Sequence, residues 1–481
     1  MMVVSHRIEP DPSRLIARPL IPGNKGPVVA DHRLDNLVDR VLGMPGDVRR
    51  STLDELRQRH EQQYGELDEI WARHLEIARG MTDHIPPDLG DEESALLGAY
   101  LTQGYAYEAA ALTNPSIVAH GPETNGRQGF VMSARAIGEG HISSIAFITG
   151  TVDTSGQVTL DDRSQFASNG RRTTPGLSRR ALHGKLQELG YLDRASERIV
   201  NLLPETYHPD DIDEACRKVR DSDIDDVEVD LAVARVHWVS SSNYDVAFDP
   251  DKPISEHLIS PSAPVESQGM EDARFVRFAD DDGSVIYYGT YTAFDGTRIL
   301  PQLIETKDFH SFRISTMVGP AAHHKGISIF PRRINGDLMA ISRHDHVNCY
   351  VLRSDDIRDW TNAELAFGPE YEWELVHMGN CGSPIELPEG WLVITHGVGP
   401  MRRYSLGAVL LDLDEPSKVI GRLREPLIEP TEGDEFGYVP NVVYSCGSMT
   451  YADLLVVPYG FADRGIRFAV TPLAEVLSAM S

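Results

Sequence analysis

Short β-type runs separated by turn signals, from about Val227 onward, constrain the fold most strongly. We predict strands at 298–306, 326–331, 337–342, 390–398, 406–413, 453–459 and 466–471, with turns such as Asn335-Gly336 between them. A strand with a polar end recurs at 305–309 and at 353–357, a period of about fifty residues that holds about four strands. This period favours a β-propeller, although regular strand spacing also fits a β-sandwich.

The first third of the chain is helical in character. Between 52 and 81, apolar residues recur with a helical period, and a second helical run covers 92–112. Helical pattern returns at 178–220, interrupted by a Pro-rich segment at 203–209. We therefore predict an N-terminal helical extension over 1–110 that packs on a mainly β domain. That β domain covers 111–477 and carries a helical insertion at about 178–220.

Composition excludes several classes of protein. The net charge of −28 over 481 residues disfavours nucleic-acid binding, because a phosphate backbone repels such a surface. No apolar run approaches eighteen residues, so we expect no membrane span. The four cysteines are far apart and form no Cys-x-x-Cys pair, so we expect neither disulfides nor a zinc site. A cytoplasmic location is the expectation.

The segment Gly269-Met270-Glu271-Asp272-Ala273-Arg274-Phe275 has the strongest catalytic character. On an extended backbone Asp272 and Arg274 share a face, where a guanidinium can tune a carboxylate, and Glu271 points to the other face. A carboxyl group with a controlled pKa at a strand end suits acid catalysis on an acetal.

Polar residues at the ends of three later β runs indicate an anion site. Lys325 precedes one run, Arg343 ends the next, and His396 lies in the run 390–398. Strand ends surround the central channel of a propeller, so these three donors are expected to converge on a phosphate or a carboxylate.

Other polar residues have weaker patterns. His344 and His346 share a strand face, but no third metal ligand is fixed by spacing, and no metal is expected. Arg402 and Arg403 fit either an anion site or a loop cap, and Cys381 lacks an assigned base. Dinucleotide and phosphate-loop motifs are absent from the sequence, so no nucleotide cofactor is indicated.

Several of these segments together resemble glycoside hydrolase family 130, which contains β-mannoside phosphorylases and related β-mannosidases. The family's Gly-x-Glu-Asp-Pro-Arg motif is similar to Gly269–Arg274, with Ala273 in place of proline. The lysine-led strand at Lys325, the strand-end Arg343 and the Gly-Trp-Leu…His-Gly-Val signature at 390–398 are also similar. Further matches lie at 410–416, 439–443 and 459–463. The resemblance covers roughly residues 114 to 477.

The resemblance implies a five-bladed β-propeller with its active site at the central channel. By resemblance, Asp272 is the general acid, acting in many members through a hydroxyl group of the bound mannosyl unit. Lys325, Arg343 and His396 then correspond to the phosphate-binding group. Asn114 and Asp463 correspond to contacts with the non-reducing mannosyl residue, and Glu271 and Arg274 belong to the substrate-binding set.

An inverting phosphorolysis of β-linked manno-oligosaccharides to mannose 1-phosphate is the expected reaction. It needs one acid and an anion cradle, with phosphate as co-substrate and no cofactor. A phosphate-independent β-mannosidase is the first alternative, and a non-catalytic glycan-binding propeller is the second. The hydrolase needs a second carboxylate about 6.5–9.5 Å from the acid. The candidates are Glu372, Glu374, Glu386 and Glu435. Linkage specificity stays open, and a homo-oligomer is compatible with the sequence.

Overall fold

The computed structural model describes residues 2–22, 32–64, 66–220 and 224–481. The chain is mainly β, with 38% strand and 25% helix, which confirms the predicted class. It divides into two compact units. The smaller comprises Asp11–Ala109 with Ser164–Ser168, and the larger comprises Met1–Pro10, Ala110–Arg163 and Asn169–Ser481. Within the described ranges, no helix has the length and apolar character needed to cross a membrane.

The first 109 residues contribute seven elements to the described structure. These are β1 (Met2–Ile8), β2 (Leu15–Pro19), α1 (Arg33–Leu42), α2 (Gly46–Tyr64), α3 (Leu67–Arg79), α4 (Asp91–Tyr100) and β3 (Thr102–Ala106). All except β1 belong to the smaller unit, where β2 and β3 pair antiparallel. Residues 23–31 and 65 of the predicted extension lie outside the described residues.

The helices of the smaller unit pack through apolar faces with helical spacing. Leu34 and Val38 of α1 meet Leu75 of α3 and Leu97 of α4 in one core. The predicted helix over 92–112 is wrong beyond Tyr100, because the chain turns at Leu101 and enters β3. Tertiary pairing with β2 overrides the local helical pattern there.

The larger unit contains all the remaining elements. The strands as far as the insertion are β4 (Ala111–Ala119), β5 (Arg127–Ile137), β6 (Ser143–Asp153), β7 (Val158–Leu160), β8 (Arg171–Thr173) and β9 (Leu177–Ser178). The insertion comprises α5 (Arg179–Glu188), α6 (Arg194–Leu202), β10 (Thr206–Tyr207), α7 (Pro209–Arg220) and α8 (Asp226–Ser240). Next come β11 (Tyr244–Ala247), β12 (Leu258–Ile259), β13 (Gly269–Ala279), β14 (Val285–Phe294), β15 (Ile299–Thr306) and β16 (Ser311–Thr316).

The last third of the chain is almost entirely strand and turn. Its elements are β17 (Ser328–Ile329), β18 (Leu338–Ser342), β19 (Cys349–Ser354), β20 (Asn362–Phe367), β21 (His377–Asn380), β22 (Ile385–Leu387), β23 (Gly390–Val398), β24 (Tyr404–Leu411), β25 (Val419–Arg422), β26 (Val443–Tyr444), β27 (Met449–Tyr451), β28 (Leu454–Phe461), β29 (Gly465–Pro472) and α9 (Leu473–Ser478). Each predicted strand of this region overlaps one of these strands.

The described strands of the larger unit form five antiparallel groups in chain order. They are β4–β7, β13–β16, β17–β20, β21–β25 and β26–β29. A single parallel contact between Gly269 and Ser143 joins the first two groups, and these eight strands form an eleven-stranded sheet together with β8, β11 and β12. Strand β1 pairs antiparallel with β29, so the N-terminal strand completes the last group.

The helical insertion extends farther than the sequence pattern indicated. Helix α8 runs to Ser240, so the predicted change to β structure at about Val227 is wrong, and strands resume only at Tyr244. Val229, Ala232, Val236 and Val239 are buried at intervals of three and four residues, which is the helical period. These apolar residues belong to the insertion's own hydrophobic core.

Residues 111–153 lie within the predicted β domain, although no individual strand was predicted there, and they form the long strands β4, β5 and β6. Eight of the nine residues of β4 are buried. A strand covered on both faces is a continuous apolar run without alternation, and such a run is not distinguishable from a buried helix by periodicity alone.

Gly98 provides a test of the packing between α3 and α4. A Cβ atom at this position would lie 2.3 Å from the backbone oxygen of Trp71, so we expect Gly98→Ala to force the helices apart. The expected loss is about 1–3 kcal/mol in the free energy of unfolding, measured by urea denaturation. Gly184→Ala in α5 is the matched control, because its Cβ would meet nothing within 4 Å. It should be neutral or stabilising by up to about 1 kcal/mol, and equal losses in both variants would contradict the packing argument.

Candidate active site

A β-bulge in β13 places Asp272 at the centre of the candidate site. The pairing of β13 with β14 shifts between Glu271 and Arg274, and Asp272 adopts a left-handed backbone conformation with φ of 58°. An extra residue in one strand rotates the side chains that flank it. The expectation that Glu271 and Asp272 face opposite environments is therefore wrong, because strict alternation fails at the bulge.

Both carboxylates face the same arginine. Arg135 of β5 donates from Nη2 to Glu271 Oε1 at 2.8 Å, and its Nη1 lies 3.7 Å from Asp272 Oδ1. Lys325 Nζ donates to the second oxygen of Glu271 at 2.6 Å. Glu271 therefore bridges Arg135 and Lys325 and holds both cations beside the Asp272 carboxylate.

Arg274 contacts both the backbone oxygen and the carboxylate of Asp272. Its Nη1 donates to the backbone oxygen of Asp272 at 2.8 Å, and Nη2 lies 3.8 Å from Asp272 Oδ2. Nη2 also donates to the hydroxyl group of Tyr444 at 3.0 Å. Arg274 is buried, so this network fixes the bulge rigidly.

The charge balance sets the protonation state of Asp272. Burial alone would raise the pKa of this carboxyl group, but Arg274, Arg135, Lys325 and a hydrogen bond from Asn114 together lower the pKa below its ordinary value. Asp272 is therefore ionised at neutral pH when the site holds only protein groups.

Asn114 and Asp463 lie with Asp272, as the resemblance implied. Asn114 occupies a bulge in β4 with φ of 51°, and its Nδ2 donates to Asp272 Oδ1 at 2.5 Å. Asn114 Oδ1 is buried and has no hydrogen-bond partner in the described chain. Asp463, in the turn from β28 to β29, has φ of 46°. Strained left-handed residues are frequent at functional sites.

Burial raises the pKa of Asp463 to about 6, and the neighbouring Asp272 carboxylate adds to the rise while Arg135 and Arg402 oppose it. The two aspartates thus have pKa values that are shifted in opposite directions. Such a separation is typical of sites where one carboxyl group stays charged and another exchanges a proton near neutral pH.

Arg343 and His396, which the sequence assigned to the anion site with Lys325, lie together. A Cβ atom at Gly379 would lie 2.1 Å from Arg343 Cδ and 2.7 Å from His396 Cε1, so both side chains pass over this glycine. Arg343 Nε lies 3.5 Å from the corresponding position at Gly326, the residue after Lys325. Gly379 therefore lets Arg343 and His396 approach each other, and Arg343 also passes close to Gly326, next to Lys325.

His396 is a neutral donor and not a cation. Burial lowers the pKa of this imidazole well below its ordinary value, and Arg343, His377 and Arg274 lower it further. Its Nδ1 lies 3.6 Å from Cys381 Sγ. Burial raises the pKa of the Cys381 thiol to about 12, so this cysteine is a poor nucleophile. All four cysteines are buried and free.

Four histidines form a cluster beside Lys325 and Arg343. The ring of His324 lies 4.2 Å from that of His323 and 4.0 Å from that of His346, and His344 lies 4.9 Å from His323. Burial and the other histidines lower the pKa of His324 to about 4, and burial with His344 lowers the pKa of His323, so these two imidazoles are uncharged at neutral pH. Within the described ranges, no three His, Cys, Asp or Glu side chains are arranged to hold a metal ion.

The two neighbouring arginines have different surroundings. Arg402 has φ of 57°, lies over the ring of Tyr404 at 5.9 Å and affects the pKa of Asp463, so it faces the site. Arg403 donates to the backbone oxygen of Pro430 at 3.1 Å and pairs with Glu429, so it caps a loop.

Sequence reasoning missed Arg135, Tyr404 and Tyr444 as members of the site. No individual strand was predicted around Arg135, so its position beside the carboxylates was not visible in the sequence. The ring of Tyr404 stacks on His396 at 6.1 Å, and the ring of Tyr444 lies 4.9 Å from His396. Tyr404 was predictable from its position: it lies eight residues after His396, across the turn that joins β23 to β24, so the two residues fall near each other on paired strands.

Comparison with known proteins identifies the family. Residues 236–481, just over half of the chain, match the model of glycoside hydrolase family 130, described as beta-1,4-mannooligosaccharide phosphorylase. A 1,2-beta-oligomannan phosphorylase from Thermoanaerobacter sp. (strain X514) is 36% identical over 233 residues, covering 47% of this chain and 74% of the relative. A beta-1,2-mannobiose phosphorylase from the same organism is 35% identical over 253 residues, covering 50% and 79%. The chain belongs to glycoside hydrolase family 130.

A solved structure of the beta-1,2-mannobiose phosphorylase from Listeria innocua, in complex with beta-1,2-mannobiose, also matches. The TM-score is 0.45 and the sequence identity is 20%, with coverage of 77% of this chain and 92% of that chain.

The raised pKa of Asp463 predicts a pH-dependent stability. An unfolded aspartate has a pKa of 3.8, so between about pH 4 and pH 6 the folded protein binds more protons than the unfolded chain. Stability from this group is present below pH 4 and is lost as pH rises through 6. Asp463→Asn removes the carboxyl group and with it this pH dependence. Relative to wild type, we expect the free energy of unfolding of the variant to be up to about 3 kcal/mol higher at pH 7 than at pH 4. Urea denaturation at both values tests this, and a pH-independent difference between variant and wild type would contradict it.

Proposed function

We propose that this protein is an inverting β-mannoside phosphorylase. The observation that carries this proposal is that the Asp272 carboxylate lies among the cations Arg135, Arg274 and Lys325. Lys325 and Arg343 offer charge and His396 offers a neutral imidazole to an incoming phosphate. The family relatives named above as phosphorylases of β-linked mannosides support the same activity.

In the proposed reaction, an oxygen of phosphate forms a bond to C1 of the terminal mannosyl unit while the glycosidic bond to C1 breaks. The proton of Asp272 passes, through a hydroxyl group of that mannosyl unit, to the departing glycosidic oxygen. The products are mannose 1-phosphate with inverted configuration and a glycan shortened by one unit. Phosphate is its own nucleophile, so no base is required.

Asp272 is ionised in the empty site, and the negative charge of bound phosphate reconciles this with its role as the acid. A phosphate anion held by Lys325 and Arg343 offsets the positive charge that lowers the pKa of Asp272. The acid then carries its proton when phosphate is bound, so the charge balance links acid catalysis to the co-substrate. We include no metal or organic cofactor in the scheme.

The wider architecture belongs to the same proposal. We propose that the five antiparallel strand groups are blades of a propeller and that the site residues line its central channel. Asn114 and Asp463 would hold the non-reducing mannosyl unit, with Asn114 Oδ1 accepting a hydrogen bond from a sugar hydroxyl group. Four buried free thiols support a reducing compartment. The linkage cleaved is a β-mannosidic bond.

A β-mannosidase has weaker support because two of its four candidate bases are already engaged. Glu374 is buried, and its Oε1 accepts a hydrogen bond from Arg422 at 2.6 Å. Glu386 pairs with Arg332 at 2.6 Å. Glu372 and Glu435 remain for that alternative, and their Glu→Gln variants distinguish it.

Phosphate dependence is the decisive test of the function. Wild-type protein incubated with β-1,2- and β-1,4-linked mannobiose should release mannose 1-phosphate with phosphate and almost nothing without it. Asp272→Asn should lower kcat by about a thousandfold, within the range for loss of a general acid. Product analysis by anion-exchange chromatography reads both results, and equal turnover without phosphate would support the hydrolase.

Arg343 should act mainly on the co-substrate. We expect Arg343→Ala to raise the KM for phosphate by about ten- to a hundredfold, because a charge-assisted contact from a partly buried side chain is lost. The KM for the mannoside should change much less. Arg353→Ala removes an exposed arginine that pairs with Asp337 at 3.4 Å, and it serves as the matched control. Equal effects of Arg343→Ala on both KM values would argue against a phosphate contact.

A further inference from the structure

The loop 434–441 presents two aromatic side chains that the proposed chemistry does not use. Phe436 is 77% exposed and Tyr438 is 52% exposed. Large apolar side chains exposed beside a functional site usually mark a recognition surface. We call Phe436 and Tyr438 the aromatic pair.

The base of this loop is fixed. Asp434 is buried, accepts two hydrogen bonds from Arg467 Nη1 at 2.9 and 3.1 Å, and accepts another from the backbone of Thr431 at 2.8 Å. The backbone of Asn441 donates to Asp434 O at 2.9 Å and closes the loop. A buried ion pair at Asp434 and a backbone hydrogen bond from Asn441 hold the two ends of the loop together, so the exposed tip is held in place by its base.

The same loop lies directly against site residues. A Cβ atom at Gly437 would lie 2.5 Å from the backbone oxygen of Ala462, the neighbour of Asp463. Val439 N donates to that same oxygen at 3.2 Å, and Asn441 O accepts from Tyr404 N at 3.0 Å. The loop that carries the aromatic pair therefore contacts Ala462, the residue that precedes Asp463 in the chain.

Tyr438 is also oriented from the opposite side. Its hydroxyl group lies 3.1 Å from His141 Nδ1, and the two rings stack at 5.7 Å with an angle of 28° between their planes. His141 lies between β5, which carries Arg135, and β6. The ring of Tyr438 is thus held between two segments that each carry a charged residue of the site.

We propose that the aromatic pair stacks against the second mannosyl unit on the leaving-group side of the cleaved bond, which mannotriose has and mannobiose lacks. This rests on the proposed function, which places the non-reducing unit with Asn114 and Asp463. The rest of the glycan must then run outward past the neighbouring loops. A pyranose ring presents a face of C–H groups that packs well on an aromatic ring. Two side chains fit one or two sugar units and are far smaller than a protein interface.

The consequence is a preference for oligosaccharides of three or more units over disaccharides. Phe436→Ala and Tyr438→Ala should each lower kcat/KM for mannotriose at least fivefold more than for mannobiose, chiefly through KM. Phe436→Trp should keep the wild-type ratio of kcat/KM for mannotriose to that for mannobiose, since any aromatic ring supplies the stacking face. Val227→Ala is the matched control, because Val227 is 76% exposed in the helical insertion.

A binding measurement separates this inference from the function itself. Isothermal calorimetry compares two variants that are not expected to turn over substrate, Asp272→Asn and Asp272→Asn combined with Phe436→Ala. For each variant it gives the affinities for mannobiose and mannotriose. Selective loss of mannotriose affinity supports the aromatic pair, whether phosphate or water proves to be the nucleophile. Equal loss for both ligands, or no loss for either, overturns the inference and leaves the proposed function intact.

Discussion

The site depends on the balance between two adjacent carboxylates and the cations that surround them. Glu271 and Asp272 are held within a few ångströms by a bulge, and their mutual repulsion is offset by Arg135, Arg274 and Lys325. A buried charge without a partner is costly, so each of these groups is retained by the others. The network joins β5 and β13, which belong to one sheet, to the segment before β17, which leads into another. The geometry of the site therefore depends on two sheets.

The later strands were predictable because their pattern is local. Turns at Asn335-Gly336 and the run 390–398 carry their own signals, and the structure places strands there. The first third was not predictable in the same way. Strand β4 is buried almost throughout, so no alternation reveals it, and helix α8 has a clear helical period that a local β-rich composition obscured.

Individual site residues were easier to name than to orient. The motif that contains Asp272 was visible in the sequence, but its direction was not, because one extra residue in β13 reverses the alternation on which a face argument rests. Arg135 shows the complementary difficulty. It has no motif of its own, and only the pairing of β5 with its neighbours brings it to the carboxylates.

Gly379 carries no functional group, yet the side chains of Arg343 and His396 both occupy the space that its Cβ would fill. Any mutation at this codon to another residue would displace both side chains at once. The positions of Arg343 and His396, which belong to different sheets, therefore both depend on a third residue. If Arg343 and His396 bind phosphate as proposed, loss of that binding in a descendant of this chain can begin at Gly379, a residue without a side chain of its own.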